Sequence, residues 1–421
     1  MSNHVTVVGG GLAGLVAAIV AAEAGAPVHL FEAHVTLGGR ARSSEPPYVA
    51  NLWAHALYTD GSIWAFCTQR GILPPIVTAP LTSARFFHGD QLHRLPPAAL
   101  LRTAQLRRQV APIDIPFRTW ASDQWDEETA AVLGCAAGVF SFHHDPGALS
   151  AAFVAERLAR VYAVPPRVRF IRSGWTTLID ALIRHARRLG VQIQTGSRIE
   201  DPPEPPVVVA TDLRTAARLL ADDTLHATGT TAALLDLGIR HRCGDPYLVI
   251  DLDGGAWIER FSTKDRSLCA PGHQLIQAHL GIRPGESTQQ ALDRLHHILD
   301  ASHPGWRERL AWSRRARVTD LTGALDPPGH TWRDRPRIDR GNGIFLAGDM
   351  VAAPGLLGEV AVTSAAQAGR NVARTLTEDL PSASKRGRIE GSASGTVRKP
   401  AVGWRGRLGA RAGPGRRPAS A

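Results

Sequence analysis

The sequence predicts an α/β protein: one doubly wound domain put together from segments at both ends of the chain, and a second, α+β domain made from what lies between. Two observations predict it. A strand, a glycine-rich turn, an Ala-rich helix and a second strand ending in an acid follow one another within the first 32 residues. Near the other end a short apolar strand runs into Gly348-Asp349 and then into a second Ala-rich helix, to about Thr375. A lone strand of that kind buries its two apolar faces only by joining a sheet, and the N-terminal unit offers one.

Val5 to Val8 is an apolar, β-branched run and reads as a buried strand. It enters Gly9-Gly10-Gly11-Leu12-Ala13-Gly14, a G-x-G-x-x-G. Leu12, Leu15, Val16, Ile19 and Val20 give the following helix its apolar face, and Gly25 is placed to end it. Pro27 to Phe31 is the second strand, with Glu32 at its tip. Each part has a mechanical task in the Rossmann dinucleotide unit. Gly9 permits the tight turn, Gly11 lets backbone amides approach a pyrophosphate, and Gly14 lets helix and strand pack closely. The helix start at Leu12 and Ala13 offers unpaired N–H groups and a positive dipole end. Glu32 accepts from the adenosine ribose hydroxyls and repels a 2′-phosphate, which argues against NADP. This unit alone does not separate NAD from FAD.

Further segments narrow the choice: Leu37-Gly38-Gly39-Arg40-Ala41-Arg42-Ser43 soon after Glu32, then Gly343 to Asp349 and Gly355-Leu356-Leu357-Gly358-Glu359-Val360. With Asn51 to Tyr58, Ser173 to Leu178, Val207 to Thr211 and Pro304-Gly305-Trp306, the sequence resembles the flavoprotein group of monoamine oxidases, protoporphyrinogen oxidase and phytoene desaturases. The phytoene-desaturase-like NAD(P)/FAD-dependent oxidoreductases look closest. The resemblance spans about 1–376 and implies one non-covalent FAD. It implies that Gly39 and Arg40 meet the pyrophosphate and flavin side. Gly348 and Asp349 would meet the ribityl or phosphate end, and Val360 would lie in the helix start that faces the flavin N1/C2 carbonyl. It gives Ile199 a backbone contact to adenine, where plain core packing explains the residue equally. It brings His55 to the flavin, to orient substrate or tune N5, against a purely structural role. One departure stands out: the family's small β-meander is reduced to Asp201-Pro202-Pro203-Glu204-Pro205-Pro206, too proline-rich to pair as strands. Its loss should expose one sheet face or leave it to another element.

The expected dinucleotide segments are 1–75, 168–240 and 336–376, and the insertions 76–167 and 241–335 form the substrate domain. In the first insertion Arg85-Phe86-Phe87 and Gln91-Leu92-His93 read as a hairpin around Gly89-Asp90. In the second, Tyr247 to Leu252 is strand-like and Ser287 to Ala301 an amphipathic helix. Residues 98–110 mix Leu100, Leu101, Ala104 and Val110 with Arg102, Arg107 and Arg108. They read as a domain helix with a solvated face or as a basic helix at a membrane surface. Lys264, the one lysine of the folded part, tempts as an amine-oxidase-type lysine, but its Ser262-to-Ser267 setting reads as a loop. No metal-ligand spacing occurs.

The net charge of +10 could suggest nucleic acid, yet ten Lys or Arg and one acid, Glu390, lie in 381–421. The rest of the chain is close to neutral, which argues against a nucleic-acid partner. Segment 377–421 reads as a disordered basic tail. No leader or apolar span is expected, so the protein reads as cytoplasmic, with weak peripheral membrane contact through the tail. The expected activity is oxidation, by desaturation, of a lipophilic small molecule through hydride transfer to flavin. The alternatives are a flavin amine oxidase and a structural or non-redox flavoprotein. Oligomeric state is left open.

Overall fold

A computed structural model describes residues 3–52, 56–78, 80, 83–321 and 323–378. Valine builds the first layer. β1 (Val5–Val8) pairs in parallel with β2 (Val28–Phe31) on one side and with β9 (Val207–Val209) on the other. β8 (Gln192–Gln194) extends the sheet beyond β2, and β15 (Ile344–Leu346) extends it beyond β9. A parallel sheet needs cover. The Leu12–Glu23 helix, buried from Leu12 to Ala21, provides it, with the Thr176–Arg188 and Gly358–Glu378 helices packed alongside. Gly369 permits the first and last of these helices to touch, because a Cβ there would stand 2.6 Å from the Ala17 carbonyl oxygen. Both ends of the described chain thus meet in one layer, as the sequence predicts.

No strand lies between β8 and β9 among the described residues. At the β2–β8 edge, the sheet face carrying His29, Gln192 and Gln194 is half-exposed or exposed, whereas Val207 and Val209 on that face are buried. Glutamines thus occupy the open part of this face.

A second, seven-stranded sheet has the order β14-β10-β13-β12-β11-β5-β6. Its strands are β5 (Ala84–His88), β6 (Gln91–His93), β10 (Thr231–Arg240), β11 (Leu248–Asp251), β12 (Trp257–Glu259), β13 (His273–Gly281) and β14 (Leu310–Thr319). The expected hairpin is β5–β6, turned by Gly89 and Asp90 with positive φ. A small third sheet joins β3 (Leu57–Tyr58) and β4 (Ile76–Thr78) to β7 (Val168–Ile171). Two assignments differ from the sequence reading. β10 falls in the expected dinucleotide segment 168–240, yet it pairs along its length with β13 and β14. The chain crosses between layers after the Leu213–Leu220 helix, and no change of composition marks the crossing. Residues 98–110 form no continuous helix, but two short ones, Ala98–Leu101 and Thr103–Leu106.

Alternation along the strands sorts the large sheet into two faces. Leu235, Leu237, Val249, Ile258 and Ala278 pack with Leu292, Leu295 and Leu299 of the Thr288–Ser302 helix. A Ser287–Gln290 capping box starts that helix. The opposite face carries two cross-strand rows. One runs Phe86, Ile250, Trp257, His279, Leu234, Ala316; the next runs Ala84, Leu248, Glu259, Gln277, Asp236, Arg314. This face is the floor of everything described below.

Candidate active site

A cavity of about 650 Å³ lies at the carboxyl ends of β1 and β2. Gly9, Gly11, Leu12, Ala13, Glu32, Gly39, Arg40, Ile199, Gly348 and Asp349 all line it. Of the other expected residues, Gly14 packs behind it, since a Cβ there would stand 1.8 Å from the Gly9 carbonyl oxygen. Val360 is buried in the core, and its neighbour Ala361 reaches the cavity wall. His55 lies outside the described residues, as does the 379–421 tail. The residues flanking His55 are informative all the same. Leu52 borders this cavity, and Ala56 borders a second, apolar one.

Local hydrogen bonds bring the motifs together. Gly38 N donates to Gly10 O at 2.8 Å, which lays the Gly38-Gly39-Arg40 turn on the first glycine loop. Glu32 is buried; Oε2 accepts from Gly10 N at 2.7 Å and Oε1 from His34 N at 2.9 Å. The carboxylate therefore shapes the loop as well as facing the cavity. Arg40 donates to Asp349 Oδ1 at 2.7 Å and also to the Asp320 carbonyl, tying the N-terminal motif to the end of β15.

These residues fit an FAD. Asp349 Oδ2 is buried without a hydrogen-bond partner among the described residues, which leaves an acceptor for a ligand hydroxyl. A Cβ built on Gly11 meets nothing within 4 Å, so backbone and ligand can approach closely there. The glycine loop feeds the start of the Leu12–Glu23 helix, where backbone N–H groups lack helical partners.

The second cavity, about 410 Å³, is lined mostly by apolar and aromatic side chains. Its floor is the same sheet face: Ala84, Phe86, Leu248, Ile250, Trp257, Glu259 and His279. Leu100, Leu101, Thr103 and Ala104 form part of its wall, so the two short helices that replace the expected long one border this chamber. Glu259 is buried, accepting from the Tyr247 hydroxyl and from Trp257 Nε1 at 3.2 Å. Burial pushes its carboxyl up to about 7, against the pull of those two donors. Burial pushes the His279 imidazole down to about 3, and its Nδ1 has no hydrogen-bond partner among the described residues. The ring stacks on Phe142 at 4.0 Å.

Between the cavities the second row becomes a polar ladder. Arg314 Nε donates to Asp236 Oδ2 and Gln277 Nε2 to Asp236 Oδ1, both at 2.7 Å. Burial pushes the Asp236 carboxyl up even with Arg314 beside it. Gln277 holds Asn51 from both sides, accepting its N–H at 3.2 Å and donating to its carbonyl at 3.0 Å; Arg314 donates to that carbonyl too. The ladder thus anchors the residue just before the His55 segment. The last helix starts nearby, with Leu357 on the apolar cavity and Ala361 on the nucleotide cavity. Glu359, in its first turn, accepts from Leu356 N at 3.0 Å and from both Arg160 nitrogens at 2.7 Å. A carboxylate thus already sits against the positive end of this helix, with its charge met by Arg160.

The sequence reading missed Glu259, Asp236, Gln277, Arg314 and Glu359. The available signal was an isolated acid inside an otherwise apolar run, as at Asp236 in β10; Gln277 and Glu259 carry no such mark. Lys264 is exposed and follows the short Phe261–Thr263 turn; it lines neither large cavity.

Comparison with known proteins bears on the first layer and on the fold. Residues 7–70 match the NAD(P)-binding Rossmann-like domain family. No curated protein matches the sequence. Among solved structures, an oxidoreductase from Methanosarcina mazei aligns over 86% of this chain and 99% of its own, at 16% identity and a TM-score of 0.71. Cyclohexylamine oxidase from Brevibacterium oxydans aligns over 90% and 100%, at 13% identity and a TM-score of 0.64. Putrescine oxidase bound to putrescine aligns over 90% and 99%, at 13% identity and a TM-score of 0.66. The chain therefore carries a Rossmann-type dinucleotide domain of discontinuous segments joined to a β-rich domain, on a fold it shares with these oxidases.

Proposed function

We propose that the protein is an FAD-dependent oxidoreductase that oxidises a small organic amine with an apolar body. The observation that carries this reading is the common floor: one sheet face lines both the nucleotide cavity and the apolar chamber, so cofactor and substrate would lie against a single rigid surface. When bound, FAD would supply a hydride acceptor for the C–H bond next to the nitrogen of the neutral amine, forming a C=N bond, so a substrate that enters as an ammonium first loses a proton. The chain's own residues bind, orient and exclude water. The glycine loop, Glu32, Arg40 and Asp349 hold the dinucleotide. The aromatic and aliphatic walls of the chamber desolvate the substrate. The Asn51–Gln277–Asp236–Arg314 ladder stiffens the seam between the cavities. Glu32 disfavours a 2′-phosphate at this site and no second Rossmann-type sheet lies among the described residues, so reduction by the organic substrate is expected in place of reduction by NADPH. The two oxidases on this fold support an amine over a hydrocarbon.

Desaturation is the second reading, favoured by the apolar chamber wall at Leu100, Leu101 and Ala104. Anaerobic mixing with apolar primary amines, with polyenes or terpenoids, and with NADPH separates the two. Purified protein should be yellow, with one FAD per chain released on denaturation. Flavin bleaching by amines is the expected result. Bleaching by hydrocarbons alone transfers the case to the desaturase, and rapid bleaching by NADPH overturns both readings.

A further inference from the structure

We infer that Glu259 is the specificity-determining group of the apolar chamber and that it selects a ligand bearing one ammonium group on an apolar body. The inference rests on the chamber being the substrate site. Trp257, Glu259, His279 and Gln277 share one face because β12 and β13 pair Trp257 with His279 and Glu259 with Gln277. Gln277 is committed to Asp236 and Asn51, which leaves Glu259 and His279 as the polar groups at this end of the chamber floor.

Glu259 is the one acidic side chain among the described residues lining the chamber, and no Lys or Arg lines it. Its two partners, Tyr247 and Trp257, are neutral donors. A buried carboxylate normally has a cation beside it, because removing an ion from water is costly without an opposite charge. Arg260, next in the chain, donates to Gln274 Oε1 at 3.1 Å and does not line the chamber. Arg160, 5.0 Å from the Tyr58 ring, is paired with Glu359 and Asp60. Lys264 is exposed beside a separate small cavity. A ligand ammonium would fill this vacancy in charge, while the unpartnered His279 Nδ1 offers a second, neutral contact.

The other titratable groups facing Glu259 stay uncharged near neutrality. Tyr58 from β3, Tyr162 at the end of the Ala151–Val161 helix, and Tyr247 are all pushed up by burial. His279 is pushed down to about 3. Glu259 is thus the group that titrates near pH 7, and it must be ionised to take a cation. Ammonium affinity should therefore rise with pH through about 7 and then level off, since an alkylammonium, like lysine, stays protonated to about pH 10.

The probes are n-octylamine, n-octanol and octanoate, which share a chain and differ in charge. Binding to the holoprotein is measured by calorimetry with the flavin reduced beforehand, so that no turnover intervenes. At about pH 8.5 the amine should bind at least about 10-fold tighter than the alcohol, with octanoate weakest; at about pH 5.5 the amine's advantage should fall away. Glu259→Gln should abolish the advantage and leave octanol affinity within about twofold. Tyr247→Phe, which removes a donor to the carboxylate, should move the pH midpoint upward and keep the preference at high pH. Equal binding of amine and alcohol by the wild type, an undiminished preference in Glu259→Gln, or an unmoved midpoint in Tyr247→Phe each overturns the inference. An amine that binds through Glu259 yet never bleaches oxidised flavin defeats the oxidase reading alone. An amine that bleaches wild type and Glu259→Gln at equal concentrations defeats this inference alone.

Discussion

Glu32 has two duties that a substitution can pull apart. Its Oε2 accepts the Gly10 amide, and the same carboxylate lines the nucleotide cavity. Glu32→Ala removes both and should weaken FAD binding by about 1.5–3 kcal/mol, roughly 10-fold or more in the dissociation constant. Glu32→Gln retains one acceptor oxygen for the loop and should fall between. An unchanged FAD dissociation constant in Glu32→Ala would remove this residue from the site. Glu32 was legible because its motif is local: turn, helix, strand and acid follow in order, and each glycine has a steric reason. Gly14, for example, has no room for a Cβ against the Gly9 carbonyl. Glu259, Gln277, Asp236 and Arg314 were not legible as a group. They stand side by side only because four strands pair in one register, and register belongs to the folded sheet.

Elements with a local turn or cap signal are legible in the sequence. The β5–β6 hairpin and the capped Thr288–Ser302 helix carry their own signals, a Gly-Asp turn and a Ser-x-x-Gln box. β14 went unread because Arg314, Arg315 and Arg317 mask its alternation, although only Arg314 turns to the ladder. The 98–110 segment went wrong the other way: its apolar spacing suits a long helix, but Leu100 and Leu106 are buried by two short ones while Leu101 and Val110 remain exposed. The contact between the first and last helices invites a direct test. Gly369→Val would drive a side chain into the Ala17 carbonyl, 2.6 Å from the Cβ position, and should cost about 1–3 kcal/mol. Thermal melting should show a lowered Tm with earlier flavin release. An unchanged Tm would mean that the helices yield without loss.

At the scale of the molecule, most of the net charge lies in 381–421, outside the described residues. Deleting 381–421 removes nine net positive charges, so the isoelectric point should drop sharply. Flavin content and Tm should stay as they are, because the described structure closes with the Gly358–Glu378 helix. Loss of FAD or aggregation of the truncated protein would show that the tail contributes to folding. Full-length protein should adhere weakly to anionic vesicles and release as salt rises. The assembly of one layer from both ends was readable because an orphan apolar strand demands neighbours, whereas the point where the chain changes layers, before β10, leaves no trace in composition.

The Arg40–Asp349 pair has a consequence for biosynthesis. Its partners are 309 positions apart in the chain. At about 5–20 residues per second, a ribosome delivers Asp349 roughly 15–60 s after Arg40. Throughout that interval the glycine loop exists without its closing acid, and β9, synthesised about halfway through it, waits for β15. Cofactor capture is thus expected only near the end of translation, and a chain cut short before Asp349 should emerge colourless. Pigment in a preparation would then certify that synthesis had run past the last strand.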